Sequence, residues 1–226
     1  MRRIAVSSLL FFILAISSAA QAAEKEDSQG RGWALDAKVG TMGIGADVSR
    51  SIVPRVLNLR VGASFFSYSA DITQSGIDYS GEMKLGAIPI ALDVFPFKNW
   101  FRIGGGVAVN LNQIEGTGLP NTGTITIGDV QYTPQDIGQV EGKLKFNRAA
   151  PYLGFGFNNP IKRKGRVGFF TDFGFMYHGT PKPSLTTTKS IPGLQTEIDQ
   201  ELQNINQDIQ DYKIFPVIQF GLSVRF

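Results

Sequence analysis

The final stretch of the chain, Tyr212 to Phe226, constrains the fold more than any other part of the sequence. Every second residue from Tyr212 onward is apolar, almost without a break, whereas the residues between them become polar toward Arg225. Alternation with a period of two predicts a β-strand that has one apolar face and one wetter face. The rest of the chain can therefore be searched for the same pattern.

The end of this strand also matches a known signal. Gln219 is followed two positions later by Gly221, and apolar residues occupy the antepenultimate position, Val224, and the final one, Phe226. This arrangement resembles the C-terminal insertion signal of bacterial outer-membrane β-barrels. The resemblance implies that the barrel-assembly machinery is a partner of the chain, and that outer-membrane lipid and lipopolysaccharide surround the folded protein.

The N-terminus predicts export. Two arginines precede an apolar run from Ile4 to Ile16, and small residues follow as far as Ala22. This order is typical of a cleavable secretory signal peptide. A membrane anchor is the alternative, but the run is short for a spanning helix and a cleavage pattern follows it. We expect a signal peptide at 1–22, a periplasmic segment at 23–31 and one barrel domain at 32–226 in a Gram-negative cell envelope.

The composition agrees with an exported barrel. The predicted leader carries two of the 22 basic residues, so 20 remain against 19 acidic residues, and no basic patch points to nucleic acid. The chain has no cysteine, which excludes disulfides and thiol chemistry. Beyond the leader no run is long and apolar enough for a membrane helix. Glycine (26 residues) and phenylalanine (17 residues) are abundant, which favours a transmembrane barrel.

Eight segments alternate in the manner of the last one. The predicted strands are Trp33–Val39, Met42–Ile52, Leu57–Phe65, Tyr79–Phe95, Phe101–Leu111, Val140–Asn158, Val167–Tyr177 and Tyr212–Phe226. A bulge at Gly40–Gly43 would merge the first two strands, whereas a tight turn keeps them apart. Bacterial single-chain barrels have even strand numbers, which favours the turn. A count of ten strands stays open beside eight.

The connections predict the orientation. Short and long connections alternate after the second strand, as in barrels with periplasmic turns and external loops. Asp71–Asp78, Gly116–Gln139 and Thr180–Asp211 are the predicted external loops, and the second has room for a hairpin around Gly128. In the fourth strand the apolar row changes phase near Pro89, where we expect a β-bulge.

Aromatic residues form two groups, as expected at two membrane interfaces. The inner group is Trp33, Phe97, Trp100, Phe157 and Phe226, and the outer group is Tyr68, Tyr79, Tyr177 and Tyr212. As a pattern, the mature chain resembles the small barrel domains of the outer membrane protein A and opacity-protein type. The resemblance implies an all-β, antiparallel up-and-down transmembrane barrel. A soluble β-sandwich or lipocalin-like barrel is the alternative, but its apolar face would point inward.

Charged residues recur on the less apolar face of nearly every strand. The predicted lumen charges are Asp36, Lys38, Asp47, Arg60, Glu82, Lys84, Asp93, Arg102, Lys143, Lys145, Asp172 and Arg225. An eight-stranded barrel is just wide enough for side chains to fill it, and buried charges must be paired. This predicts a plugged lumen, with a narrow pore lined by the same charges as the alternative.

The last external loop contains an amphipathic helix. Its apolar stripe is Leu194, Ile198, Leu202, Ile205 and Ile209, at spacings typical of a helix. Pro192 and the acidic residues near the start suit a helix N-terminus. We expect a lid packed on another external loop or on the barrel rim, with protein docking as the alternative.

Enzymatic interpretations have little support in the sequence. His178, the sole histidine, is predicted to lie exposed at the outer rim, six residues after Asp172, and no serine stands two residues beyond it. No Gly-x-Ser-x-Gly motif occurs, and one histidine without cysteine cannot build a metal cluster. We therefore predict no enzyme, cofactor or metal. The predicted role is structural or surface-interacting, with a porin-like channel next and a rim-located lipid-modifying enzyme last.

Overall fold

The computed structural model describes residues 32–74, 77–97, 100–120, 124–158, 167–189 and 191–226. The predicted signal peptide and the segment at 23–31 lie outside the described residues. None of the described helices is long and apolar enough to cross a membrane.

The described chain contains thirteen strands and two helices. In order they are β1 (Trp33–Gly40), β2 (Gly43–Val53), β3 (Leu57–Gln74), β4 (Ile77–Val94), β5 (Phe101–Asn110), β6 (Gln113–Pro120), β7 (Ile125–Ile127), β8 (Val130–Tyr132), α1 (Pro134–Ile137), β9 (Val140–Lys145), β10 (Ala149–Phe157), β11 (Val167–Tyr177), β12 (Lys182–Thr187), α2 (Leu194–Ile209) and β13 (Ile214–Arg225). Eight of these strands form the barrel, and the others lie outside it.

The barrel closes through its first and last strands. The order around it is β1, β2, β3, β4, β5, β10, β11 and β13, and every neighbouring pair is antiparallel. The seam pairs Ala34 with Arg225, and its last bonds join the backbones of Trp33 and Phe226. The predicted eight-stranded up-and-down barrel is confirmed, including the tight turn between β1 and β2.

The barrel is apolar outside and polar inside. Large apolar side chains stand exposed along the outward rows, among them Val48, Val61, Ile90, Leu92, Val107, Leu153, Phe169, Ile218 and Leu222. The inward rows alternate with them and are buried. A soluble barrel would bury its apolar face instead, so this distribution excludes the lipocalin-like alternative and is that of a barrel in lipid.

A second sheet rises from one side of the barrel. The outer halves of β3 and β4 continue past the barrel and pair with β6, β9 and β12, which gives the order β3, β4, β6, β9, β12. We call these five segments the external sheet. The predicted loop at Asp71–Asp78 is therefore mostly strand, and β6 and β12 lie in regions predicted as loops. The predicted sixth strand is divided into β9 and β10.

The predicted β-bulge in β4 is wrong. Pairing with β3 keeps one register from Gln74–Ile77 to Leu57–Val94, so the side chains of β4 never change phase. What changes along β4 is the environment of its outward face. This face carries Ile90 and Leu92 where it contacts lipid, and Glu82 and Lys84 where the strand has left the membrane. A reversal of polarity on one face looks, in the sequence, like a shift of phase.

The predicted helix is confirmed as α2. Leu194 and Ile198 are buried in a small external core with Ile127, Tyr132 and Ile137, while Leu202 is partly buried against it and Ile205 and Ile209 are half-buried. The core lies over the β9–β12 end of the external sheet. Of the two predicted seats for this lid, α2 occupies the external loops rather than the barrel rim.

Aromatic rings group at the inner end of the barrel. Trp100 stacks on Phe157 with ring centroids 5.5 Å apart, and Phe155, Phe173 and Phe220 continue the contacts around the outside. At the outer end the prediction is half correct. Tyr177 and Tyr212 are exposed near the barrel rim, whereas Tyr68 and Tyr79 lie on the external sheet.

Candidate functional site

Seven of the predicted lumen charges lie inside the barrel. Their side chains are buried and project from six different strands: Asp36, Lys38, Asp47, Arg60, Asp93, Arg102 and Asp172. Arg225 continues the inward row of β13 to the inner rim, where it is half-buried. The prediction of a lumen filled by opposite charges is confirmed for this group.

Two arginines hold the centre of the lumen. Arg60 binds Asp93 in a bidentate pair, with Nε 2.9 Å from Oδ2 and Nη2 3.0 Å from Oδ1. Arg102 binds Asp172 in the same way, at 3.0 and 2.6 Å. The pairs are linked because Arg60 Nη1 also lies 3.4 Å from Asp172. Bidentate pairs fix both partners in position, so these side chains are held at the centre of the lumen.

A third pair extends the network toward β1. Lys38 Nζ lies 2.6 Å from Asp47 Oδ1, and Arg60 Nη1 lies 3.5 Å from the other oxygen of Asp47. Asp36, on the same strand as Lys38, receives a long bond of 3.5 Å from Ser49 Oγ. The cluster therefore joins carboxylates and cations from opposite sides of the barrel into one connected plug.

Two glycines make room for this plug. A Cβ at Gly62 would collide with the carboxylate of Asp47, and a Cβ at Gly156 would collide with both Asp172 and Arg102. The inward glycines thus form part of the ion-pair site, because they let the charged groups lie directly against the barrel wall. From the sequence, glycine was used only as a sign of composition, and this role was not predicted.

An apolar layer lies on the external side of the charges. It consists of Met42, Ala87, Ala91, Ala108, Ala150, Tyr152, Met176 and Val217, with Phe215 packed against them. Most of these residues stand near the outer ends of their strands, and Met42 belongs to the external β1–β2 turn. The lumen thus contains two layers of buried side chains, the ion pairs and then the packed apolar residues.

Four predicted lumen charges are outside the lumen. Glu82, Lys84, Lys143 and Lys145 belong to the external sheet, where Lys84 lies 2.8 Å from Glu82 and Lys143 lies 2.8 Å from Glu141. The hydrogen bonds that Lys84 and Lys143 donate to these carboxylates raise the pKa of both lysines. The prediction was wrong because it followed the supposed bulge in β4 and one continuous strand through β9 and β10.

His178 is buried rather than exposed, which corrects the prediction for this residue. Its ring stands edge-on to Phe146 at 4.5 Å, and Nδ1, assigned as protonated, donates to the carbonyl of Gly179 at 3.1 Å. Burial lowers the pKa of His178. Both carboxylate oxygens of Asp172 are bound by arginine, so Asp172 is engaged elsewhere. Within the described residues no group of side chains could hold a metal ion.

The insertion-signal residues occupy both faces of β13. Gln219 is buried in the lumen. Gly221 leaves space for the ring of Phe170, with which a Cβ at this position would collide. Val224 pairs with Leu35 and Val167 in the outward row. Phe226 exchanges two backbone hydrogen bonds with Trp33, at 3.0 and 2.9 Å. These residues close the barrel seam.

The external sheet has one apolar face and one charged face. The apolar face continues the inward rows of the barrel and carries Phe66, Tyr68, Ile72, Tyr79, Met83, Ile114, Val140 and Leu185. The small core around α2 covers its β9–β12 end. At the β3–β4 end, Tyr68 is 58% exposed and Ile72 is 61% exposed. About half of this apolar face is therefore open.

A groove of about 440 Å³ crosses the open part of the apolar face. Its floor is a row of paired small residues on neighbouring strands, namely Ala70, Gly81, Gly116 and Gly142. Ile72 and Tyr79 stand on one side of the groove, and Ile125 of β7 and Val140 lie at its far end. This site was not predicted from the sequence, because β6 and the outer part of β3 lie outside the predicted strands.

Comparisons with known proteins support the barrel. No protein-family model and no curated protein matches the chain. Among solved structures, the chain is similar to CarO2 of Acinetobacter baumannii (25% identity, TM-score 0.57) and to CarO of the same organism (23% identity, TM-score 0.56), each match covering 88% of this chain and 100% of that chain. A major outer membrane protein from Thermus thermophilus matches with 13% identity over 86% of this chain and 99% of its own, at a TM-score of 0.46.

Proposed function

We propose that this chain is a non-conducting outer-membrane barrel that presents the external sheet at the cell surface for interaction with another molecule. The chain is a small eight-stranded outer-membrane barrel like those of the outer membrane protein A type, as the alternating pattern of the mature chain predicted. The observation that carries the proposal is the filling of the lumen by buried side chains. Buried ion pairs and an apolar layer stand in series across it.

The remaining parts of the proposal concern export and assembly. Cleavage after Ala22 would release the mature chain, and the assembly machinery would read β13 before the barrel reaches lipid and lipopolysaccharide. We infer no enzymatic activity, because the one histidine is buried between the rings of Phe146 and Phe215. Intact-mass measurement of protein from the outer membrane tests the cleavage site directly.

Planar-bilayer recording of the refolded mature chain tests the main proposal. A heat-modifiability gel shift first confirms that the barrel has formed. We expect the shift without discrete openings, because the ion pairs and the apolar layer close the same lumen. Discrete, salt-dependent openings of the wild type would overturn the proposal and favour the narrow channel.

A variant that opens the lumen provides the positive control. Tyr152→Ala with Met176→Ala removes two large side chains from the apolar layer, and Arg102→Ala removes one arginine of the plug. The triple variant should conduct if it folds, as judged by the gel shift. Its openings would show that the assay detects a path of this width.

A further inference from the structure

We propose that the free edge of β3 above the barrel, residues 66–74, binds an extended segment of another polypeptide as an added β-strand, with an apolar side chain of that segment in the groove beside it. The inference rests on the proposed function, because it names the partner that the external surface would hold. It concerns a different part of the molecule from the lumen, so the two can fail independently.

The edge of β3 is open for most of its external length. Pairing with β2 ends at Phe65, whereas pairing with β4 on the other side continues to Gln74. Among the described residues no further strand or backbone hydrogen bond meets this edge. A row of free N–H and C=O groups at strand spacing is complementary to one kind of ligand, another extended peptide backbone.

The two edges of the external sheet differ in how well they are protected from pairing with another strand. At the opposite edge, β12 carries Lys182 and Pro183, and α2 packs beside it. Charge, proline and covering elements are the means by which proteins protect sheet edges from unwanted pairing. The β3 edge has no proline and, apart from Asp71, no charge in residues 66–74. The unprotected edge is therefore the one beside the groove.

The groove adds a place for a side chain. A Cβ at Gly116 would meet no atom within 4 Å, and Cβ atoms at Gly81 and Gly142 would meet nothing closer than 3.8 Å. None of the three glycines has a positive φ. Larger residues would thus fit here and would favour the strand, since glycine weakens strand interiors. Glycines that neither the backbone conformation nor a steric contact requires are typical of a surface that another molecule approaches closely.

Other occupants match the surface less well. A single acyl chain lacks the donors and acceptors that the edge of β3 offers. A second copy in the same membrane is related to the first by an axis along the membrane normal. Both β3 strands rise from that membrane, so this symmetry presents two equivalent edges in parallel, and equivalent edges pair only when antiparallel. An extended segment of a different chain meets neither restriction.

The experiment uses the full mature protein in vesicles and a fluorescent synthetic peptide. The peptide alternates threonine with phenylalanine and isoleucine, and lysines at its end keep it soluble. The comparison peptide has the same composition with its apolar residues in one block. We expect saturable binding of the alternating peptide in the micromolar range and at least tenfold weaker binding of the blocked one.

Backbone recognition has its own test. Only every second residue of an added strand points its N–H toward β3. N-methylation of one alternate set of peptide amides should abolish binding, and methylation of the other set should leave binding unchanged. Equal effects of the two sets would overturn strand addition, because they would mean that no fixed row of hydrogen bonds forms.

Gly81→Val tests the groove. Gly81 lies on β4 directly beside Ala70 of β3, within reach of a side chain from a strand that pairs with β3. The valine variant should fold normally, as judged by the gel shift, and bind the peptide roughly tenfold or more weakly, because valine fills the space for an apolar side chain. Ser184→Val places the same side chain on the charged face of β12 and should leave binding unchanged. Unchanged binding by Gly81→Val would overturn the role of the groove.

The remaining outcomes also decide the proposal. No preference of the wild type for the alternating peptide would overturn it. Disulfide cross-linking of Tyr68→Cys between two barrels, unaffected by excess peptide, would overturn it in favour of a second copy. Conductance is recorded on the same vesicles, so that an open lumen would count against the proposed function and not against this edge.

Discussion

Arg60 and Arg102 are charges that the barrel can keep only because each has a fixed carboxylate partner. Both are buried among inward rows whose other members are small or uncharged polar residues, namely glycine, alanine, serine and asparagine. Burying a lone ion costs several kcal/mol, and an ion pair recovers that cost only with good geometry. The bidentate contacts to Asp93 and Asp172 supply it. The filling of the lumen by charged groups thus depends on a few side-chain positions.

Asp172→Leu should destabilise the barrel by about 3–5 kcal/mol, because Arg102 would remain buried without its main partner. The measurement is urea unfolding of protein refolded into vesicles. Arg102→Met in the same background should recover part of the loss, since it removes the stranded charge. Lys84→Met is the matched control, because its pair is exposed on the external sheet and should cost less than about 1 kcal/mol. A loss in Asp172→Leu no larger than in the control would contradict the prediction.

His178 should make stability depend on pH below neutrality. Burial lowers its pKa in the folded state, so the unfolded chain, with an ordinary histidine pKa of about 6.5, binds the proton more tightly. Stability is therefore full above the unfolded value and falls as pH drops below it, until the folded value is reached. Unfolding free energies of wild type and His178→Gln should diverge with pH in this window. A constant difference from pH 8 to pH 5 would show that burial does not control this titration.

Individual barrel strands could be predicted because lipid imposes one rule on their outward face. β1, β5, β11 and β13 lie close to their predicted positions, and the tight β1–β2 turn follows from strand parity. Above the membrane that rule ends. The outward face of β4 becomes charged without a change of register, which the sequence presents as a bulge. β6 and β12 escaped prediction because glycine, threonine and serine leave little contrast between their faces.

The contrast between the two faces of a strand also explains how much of the site could be predicted. Lumen charges were identified wherever strands keep their alternation within the barrel, as at Asp47 and Arg102. Their partners could not be predicted, because pairing depends on which strands face each other across the closed barrel. The helix α2 was visible through its own period of 3.6 residues. Its seat stayed open between another external loop and the barrel rim, because the hairpin of β7 and β8 that receives it has strands of only three residues.

The helix α2 should be held to the external sheet by its first two turns. Leu194 and Ile198 are its buried residues, and removing a buried Leu side chain costs about 2–5 kcal/mol. Leu194→Ala should therefore release α2 locally and allow rapid proteolytic cleavage between 190 and 211, while the gel shift of the barrel persists. Ile205→Ala, at a half-buried position of the same stripe, should be cleaved much more slowly. Equal cleavage of both variants would mean that the external core does not hold the helix.

At the scale of the molecule, the closed barrel and the position of the external sheet both depend on the seam between β1 and β13. β13 completes the barrel against β1, and the bonds between Trp33 and Phe226 end that seam at the inner rim. A barrel without this closure would leave two strand edges in lipid, where unpaired backbone groups cost several kcal/mol each. The external sheet extends from β3 and β4, which do not belong to the seam. Its position therefore depends on the closed barrel beneath it.

Deletion of Phe226 distinguishes two roles of this residue, closure of the barrel seam and recognition by the assembly machinery. Loss of the residue removes two backbone hydrogen bonds, which are worth about 0.5–1.5 kcal/mol each, so refolding into vesicles without other proteins should fall only modestly. In cells we expect a much larger loss of heat-modifiable protein, because the assembly machinery would no longer read the final aromatic residue. Phe220→Ala changes an outward residue of the same strand and should match wild type in cells. Wild-type levels of the deletion variant in cells would contradict the role of Phe226 in recognition, whereas an equal loss in vesicles and cells would assign it to the seam alone.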